Sequence, residues 1–139
     1  MNPMRSLIRL QVLLVIALAL QACGAANAVA RAETTEQRAY AAYGEFTIVE
    51  EQAAKLVSSG QLDDRTVMAI GRADEAAKKV ADPMIELTLE VTAIRSEYEE
   101  GGKDAESRFI SAANELNGWV ERLLPLVVNL QSATRREEQ

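Results

Sequence analysis

Hydrophobic positions along most of this chain recur at alternating steps of three and four residues, the spacing that places side chains on one face of a helix. Three such runs occur after residue 34, and the second keeps a seven-residue repeat from beginning to end. The predicted core positions are Ala39, Ala42, Phe46, Val49, Ala53 and Leu56 in the first run; Ile70, Ala73, Ala77, Val80, Met84, Leu87, Val91, Ile94 and Tyr98 in the second; and Phe109, Ala113, Leu116, Val120, Leu123, Val127 and Leu130 in the third. The pattern therefore predicts three long helices.

Turn and capping signals separate the three runs. Ser59-Gly60 and Gly101-Gly102 are predicted to end the first two helices, because glycine adopts the left-handed conformation that often follows a helix without steric cost. The expected N-caps are Thr34 (in a capping box with Gln37), then Asp63 or Asp64, and finally Asp104. The first helix should accordingly span about residues 35–58.

Two prolines lie inside the helical runs. The hydrophobic repeat continues unchanged across Pro83, so we expect one helix that is kinked at this residue. The alternative is a true break, with Asp82 as N-cap and Pro83 at the first helical position. The predicted fold is therefore all-α: an antiparallel three-helix bundle with long helices, or a four-helix bundle if the second helix breaks. Pro125 leaves the end of the last helix open.

Composition agrees with a single helical domain and restricts its partners. Of the 139 residues, 48% are hydrophobic but only 4% are aromatic, so the core must consist of aliphatic and alanine side chains. Residues 1–22 hold two of the 15 basic residues and none of the 21 acidic ones, so the remainder of the chain has a net charge of −8. Because nucleic acids and anionic headgroups are bound through lysine and arginine, we expect no nucleic-acid partner.

The chain has no histidine, and Cys23 is its only cysteine. This composition excludes nucleophile systems that rely on histidine, together with most zinc and di-iron sites. Acidic residues surround Gly101-Gly102, but their spacing is not that of an EF-hand, and the neighbouring pair Glu86 and Glu90 lacks the histidines of a di-iron bundle. We interpret these carboxylates as solvated helix surface and expect no enzymatic activity, metal or cofactor.

The first 22 residues have the organisation of a secretory signal. Residues 1–9 form a short positive region, and residues 10–20 are uncharged and strongly apolar. The apolar run is shorter than the roughly 20 residues that a transmembrane helix needs. An ordinary signal peptide, cleaved further on after residues 28–30 (Ala-Val-Ala), is one interpretation of this region.

The residues that follow favour a more specific interpretation. Leu20-Gln21-Ala22-Cys23 resembles the lipobox of bacterial lipoproteins, with an aliphatic residue three positions before the cysteine and a small one directly before it. The resemblance implies cleavage before Cys23, a diacylglyceryl thioether on its sulfur and fatty acylation (palmitate) of the new amino group. Several acyl chains anchor a protein almost irreversibly. In this family, an aspartate directly after the lipidated cysteine retains the protein at the inner membrane. This chain has Gly24 at that position, which points to the outer membrane, facing the periplasm.

The predicted organisation follows from these signals. Residues 1–22 are expected to be the signal peptide and residues 23–33 a lipidated tether of small side chains. Residues 34–131 are expected to form the helical bundle, and residues 132–139 a polar tail.

Three aromatic residues are the best candidates for partner binding. Trp119, Tyr43 and Tyr40 lie just beside the predicted core stripes. Tryptophan and tyrosine are favoured anchors in protein interfaces, but they also seal the edges of a core with their polar ends in water. Both interpretations are open on the sequence.

These features predict a non-enzymatic, membrane-anchored lipoprotein that acts as a periplasm-facing protein-interaction module, of the adapter, pilot or exclusion type. The expected partners are the membrane, through the covalent lipid, and another protein of the cell envelope. The alternative is a carrier of a small apolar ligand within the helical bundle. The sequence does not indicate the oligomeric state.

Overall fold

The computed structural model describes residues 33–135, which form three helices and, within that range, no strand. Helix α1 is Thr35–Ser58, α2 is Asp64–Glu99 and α3 is Ala105–Arg135. The prediction of an all-helical domain with three long helices is thus confirmed. The signal peptide, Cys23 and nearly all of the tether lie outside the described residues.

Helix α1 begins and ends where its capping residues predict. The Thr34 hydroxyl accepts a hydrogen bond from the Gln37 backbone N–H at 3.2 Å, and the Gln37 side chain accepts from the Thr34 N–H at 3.3 Å. This reciprocal pair is the predicted capping box, and it satisfies two backbone donors that the first turn leaves free. After the C-cap Ser59, Gly60 takes a positive φ of 68°, so the chain leaves the helix at the predicted residue.

Helix α2 starts at an aspartate and ends in a Schellman motif. The Asp63 carboxylate accepts from the Thr66 N–H at 2.7 Å. At the other end, the Gly102 N–H donates to the Glu97 carbonyl at 2.9 Å, and the Gly101 N–H donates to the Tyr98 carbonyl at 3.0 Å. Both bonds require the left-handed conformation of Gly101, whose φ is 81°.

The start of α3 differs from the other two. Asp104 has a φ of 65°, in the left-handed region, whereas the N-caps of α1 and α2 are extended. Its backbone carbonyl accepts the first helical hydrogen bond, from the Arg108 N–H at 3.4 Å. Aspartate is among the few residues that tolerate the left-handed conformation. Asp104 therefore contributes to the start of α3 by adopting this backbone conformation.

Both prolines lie inside continuous helices. Helix α2 runs through Pro83 from Asp64 to Glu99, so the four-helix alternative is wrong, and the structure does not support a kink at this residue. A proline removes one hydrogen bond from the ladder, and packing on both sides of it holds the helix together. Helix α3 likewise passes Pro125 and continues to Arg135. It therefore includes the first four residues of the segment expected to be a polar tail, and Thr134 within it is buried.

One core joins the three helices. Its largest fully buried side chains are Met84, Val91, Leu116, Val120, Leu123, Val127 and Leu130, all predicted core positions. Helices α1 and α2 add alanines that are completely inaccessible, among them Ala42 and Ala77. Small side chains of this kind let helix axes approach closely, as the composition predicts.

The buried face of α2 is rotated slightly from the predicted stripe. Ala81 and Thr88 are both 0% exposed, whereas the predicted positions Val80 and Leu87 are only partly buried at the edge of the core. The Thr88 hydroxyl donates to the Met84 carbonyl at 2.8 Å, which satisfies its hydrogen-bonding capacity inside the core. Tyr98, the last predicted position, is 43% exposed because it lies next to the turn, beyond the packed length of the helices.

Polar contacts show which parts of the helices lie side by side. Arg95, near the end of α2, binds Glu36 at the start of α1, and Lys78 in the first half of α2 binds Glu50 in α1 at 2.6 Å. Arg38 of α1 donates to the Asn117 side chain of α3. These contacts position the surfaces that any partner would meet.

Candidate interaction surface

The three aromatic candidates differ in the solvent exposure of their side chains. Tyr40 is 47% exposed. Tyr43 and Trp119 are only partly buried but pack against the core. The Tyr43 ring lies 6.1 Å from that of Phe46, and the Arg122 guanidinium lies 4.7 Å from the centre of the Trp119 ring. Tyr40 is therefore the most accessible of the three.

These residues do not converge on a single surface. On α1, Tyr43 lies seven residues from both Glu36 and Glu50, which contact α2, so Tyr43 faces the α2 side of the helix. On α3, Asn117 contacts α1. Trp119 is two residues further along and is rotated by about 160° around the helix from that contact. A partner that binds Trp119 would thus approach a different side of the bundle from one that binds the tyrosines.

The exposed side of the first half of α1 has an unusual composition for this acidic chain. Between Glu36 and Val49 the exposed residues are Gln37, Tyr40, Gly44, Thr47 and Ile48, and none of the five carries a charge. Ile48 is 54% exposed. We call these five residues the uncharged α1 surface. Sequence reasoning missed it because the stretch also contains charged residues, and only the structure shows that those are turned inward or to the sides.

One of those inward charges is the centre of an ion pair that joins the start of α1 to α2. The Arg95 guanidinium donates to both carboxylate oxygens of Glu36, at 2.6 and 2.8 Å. Hydrogen bonds from Arg95 lower the pKa of the Glu36 carboxyl, and they outweigh its burial, which acts in the opposite direction. The Glu36 side chain is only 8% exposed, so its charge depends on this partner.

Aromatic rings extend this cluster to α3. The Arg95 guanidinium lies 4.6 Å from the centre of the Phe109 ring, and the Tyr98 ring stacks on Phe109 at 6.0 Å. All three helices thus meet at the end of the bundle where α1 begins. No sequence signal identifies Glu36 as buried, because an acidic residue in the first turn of a helix is favourable even when it is solvated.

A second charged cluster lies further along the α1 and α2 contact. Lys78 binds Glu50 at 2.6 Å and Asp74 at 2.9 Å, and these hydrogen bonds raise the pKa of its ammonium group. The inner oxygen of Asp74, Oδ1, is the one buried side-chain polar atom among the described residues without a hydrogen-bond partner. The single charge of Lys78 is shared between the two carboxylates and joins α1 to α2, so this cluster is a structural contact.

No group of three or more cysteine, aspartate or glutamate residues in the range 33–135 is placed to hold a metal ion. None of the three helices is both long and apolar enough to span a membrane. The predicted lipidation site Cys23 lies outside the range.

Comparison with known proteins adds no further assignment. No protein-family profile matches this chain, and neither a curated protein nor a solved structure is detectably similar to it. The geometry of the bundle and the amino-terminal sequence are therefore the basis for any functional proposal.

Proposed function

We propose that this protein is a lipoprotein anchored through Cys23 to the outer membrane, where its helical domain faces the periplasm and binds another envelope protein without catalysing a reaction. The sequence Leu20-Gln21-Ala22-Cys23 after a basic and then apolar segment supports the anchor. The capping box at Thr34 supports a short tether, because the folded domain starts 11 residues after the proposed lipidation site Cys23.

The proposal includes an antiparallel arrangement in which the three helices alternate in direction. The start of α1 contacts the end of α2 through Glu36 and Arg95, and Glu50 contacts the earlier residue Lys78. The five residues between α2 and α3 leave room only for a tight turn, and Tyr98 and Phe109 stack across it. In such a bundle α1 and α3 run in the same direction.

The observation that carries the binding function is the uncharged α1 surface. Interface cores are depleted in charge and enriched in aromatic residues, and this surface combines both properties in a chain with a net charge of −6. Tyr40 and Ile48 are each about half exposed there, although the bundle already has a complete aliphatic core. Single exposed apolar residues occur on any protein surface, but here they lie on one uncharged face of a helix, as in a binding surface.

A ligand carrier is the less supported function. A carrier needs a few polar groups within an apolar cavity to orient its ligand. Thr88, the one polar residue in the middle of the core, already donates its hydroxyl proton to the Met84 carbonyl.

The anchor is tested by intact-mass analysis of the chain purified from membranes, in parallel with the Cys23→Ser variant. The expected result is a chain that begins at Cys23 and carries lipid, while the variant retains residues 1–22 and has no lipid. A wild-type mass equal to that of an unmodified polypeptide contradicts the anchor.

The binding function is tested by photo-crosslinking in intact cells. A photoreactive residue at Tyr40 should yield a defined crosslink to one envelope protein, whereas the same residue at Glu75, on the exposed side of α2, should not. Alanine variants of Tyr40, Tyr43 and Trp119 separate binding from folding. Lost capture with unchanged thermal stability assigns a residue to the interface, and lower stability assigns it to the core. Equal crosslinking from Tyr40 and Glu75 contradicts a specific surface.

A further inference from the structure

The contact between Arg38 and Asn117 marks where α1 and α3 face each other. Residues that follow at steps of three and four stay on the same side of a helix. On α1 these steps lead to Ala41, Glu45 and Ile48, and on α3 they lead to Glu121, Leu124 and Val128. The two rows stay level if α1 and α3 run in the same direction, as proposed above, because each residue advances both helices by 1.5 Å. We call these six residues the α1/α3 seam.

The seam combines apolar and acidic side chains and is partly open to solvent. Ile48 and Val128 are 54% and 55% exposed, one on each helix, while Ala41 and Leu124 are partly buried between them. Exposed apolar residues on two helices, with the carboxylates of Glu45 and Glu121 among them, suit the apolar face and the basic residues of another amphipathic helix.

The polar side chains at the Arg38 end of the seam already have hydrogen-bond partners. Arg38 donates to the Asn117 side-chain oxygen, and the Asn117 amide donates to Glu121 at 3.2 Å. Each of these polar groups therefore has a partner within the domain.

Glu45, in the middle of the seam, has no such partner. It is partly buried, and it makes neither an ion pair nor a side-chain hydrogen bond with any residue from 33 to 135. Burial raises the pKa of its carboxyl, which reflects the cost of desolvating a carboxylate without a counter-charge. A lysine or arginine that entered the seam would supply that counter-charge in a partly desolvated setting, where ion pairs are stronger than on the open surface.

We propose that the α1/α3 seam binds a basic amphipathic helix of another protein, with apolar side chains against Ile48 and Val128 and a lysine or arginine beside Glu45. The proposal rests on the function proposed above and defines the chemistry of the partner. Net charge favours this occupant, because residues 23–139 carry a charge of −8 and attract a cationic segment. A second copy of the chain would place two Glu45 carboxylates in one apolar interface, which is unfavourable.

The test uses the full chain purified from membranes and reconstituted in zwitterionic nanodiscs, with empty nanodiscs as the blank. The probe is a fluorescently labelled helical peptide of about 20 residues, long enough to follow the seam, with leucine along one face and lysine beside it. A matched peptide has glutamate in place of lysine, and a second has the leucines scrambled. Fluorescence anisotropy measures the affinity of each peptide.

The basic peptide should bind, and both matched peptides should bind at least about tenfold more weakly. Glu45→Gln, Ile48→Ala and Val128→Ala should each weaken binding several-fold, and Glu45→Lys should restore binding of the acidic peptide. Met68→Ala and Leu89→Ala are the controls, because these α2 side chains are 54% and 61% exposed but lie outside the seam. Ile48, Val128, Met68 and Leu89 are exposed, and Glu45 is partly buried without a partner, so the variants should fold normally.

Three results overturn the proposal: no binding of the basic peptide, equal binding of the acidic peptide, or equal effects of seam and control variants. A wild-type chain that self-associates on sedimentation, and becomes monomeric with Ile48→Asp, assigns the seam to a second copy instead. The proposed function is tested independently of the seam, because photo-crosslinking from Tyr40 and the mass of the anchored chain do not depend on this peptide. A specific crosslink from Tyr40 with no peptide binding refutes only the basic helix.

Discussion

The ion pair between Glu36 and Arg95 should be the contact between helices that is most sensitive to a single polar substitution. Arg95→Met removes two charged hydrogen bonds of 2.6 and 2.8 Å and leaves the Glu36 carboxylate, 8% exposed, without its counter-charge. Breaking one side of a buried ion pair typically costs about 3 to 5 kcal/mol. Arg95 is itself one-third exposed, so water solvates part of the cluster. We therefore expect the free energy of unfolding to fall by about 2 to 3 kcal/mol at neutral pH.

The pH dependence of this loss of stability shows whether the Glu36 carboxylate causes it. Because the pKa of Glu36 is lower in the folded than in the unfolded chain, its stabilising effect is complete above the unfolded value of 4.5. The effect is lost as the pH falls through the lower, folded value. The difference between wild type and Arg95→Met should therefore be largest at neutral pH and shrink as the pH falls below the unfolded value of 4.5.

Urea unfolding of the full chain in mild detergent measures both effects. Trp119 is the only tryptophan and packs against the core, so its fluorescence reports directly on the bundle. Arg108→Met is the matched control, since Arg108 pairs with Glu97 at 2.7 Å but both side chains are more than half exposed. An exposed pair contributes about 0 to 1 kcal/mol. Equal destabilisation by the two variants, or a difference for Arg95→Met that does not change with pH, refutes the reasoning.

Three further predictions concern packing and backbone conformation, each measured by thermal or urea unfolding. Gly44→Ala should stabilise the chain by about 0.5 to 1 kcal/mol, because its Cβ position in α1 is open, whereas Gly101→Ala should destabilise it by about 1 kcal/mol because φ there is 81°. An opposite order would show that Gly44 has a packing role. Leu123→Ala should lower the free energy of unfolding by about 2 to 5 kcal/mol, since Leu123 is fully buried. Leu89→Ala, at an exposed position, should lower it by less than about 0.5 kcal/mol. Similar losses in the two variants would contradict the described core. Thr34→Ala removes the N-cap of α1 and should cost about 1 kcal/mol, with faster amide exchange in the first turn; unchanged exchange would contradict the capping box.

The sequence predicted some elements well because local chemistry decides them. Thr34 with Gln37, Asp63 and Gly101 each act on backbone groups within five residues, so their positions in the sequence determine where the helices begin and end. Pro83 was harder to interpret, because a local rule predicts a kink or a break there while packing along the whole of α2 favours a continuous helix.

The candidate surface could be predicted only in part. Tyr40 was identified from its residue type and its position beside the core stripe, and the structure shows it to be accessible. The lone carboxylate of Glu45 and the exposure of Ile48 and Val128 could not be predicted, because they depend on which helices are neighbours and how each is rotated. A rotation of a few tens of degrees places Thr88 rather than Leu87 in the middle of the core, and a periodic pattern does not resolve so small an angle.

By itself, the sequence determined the helical class, the limits of α1 and α2 and most of the core positions, and it predicts a lipid anchor at Cys23. These properties depend on interactions between residues close together in the chain or on a motif read directly from it. Only the tertiary structure decided that Glu36 is buried against Arg95, 59 residues away, and that the exposed residues of the first half of α1 are all uncharged. The physical reason is that burial and charge pairing are properties of neighbours in space, and the same hydrophobic repeat is compatible with many choices of neighbour.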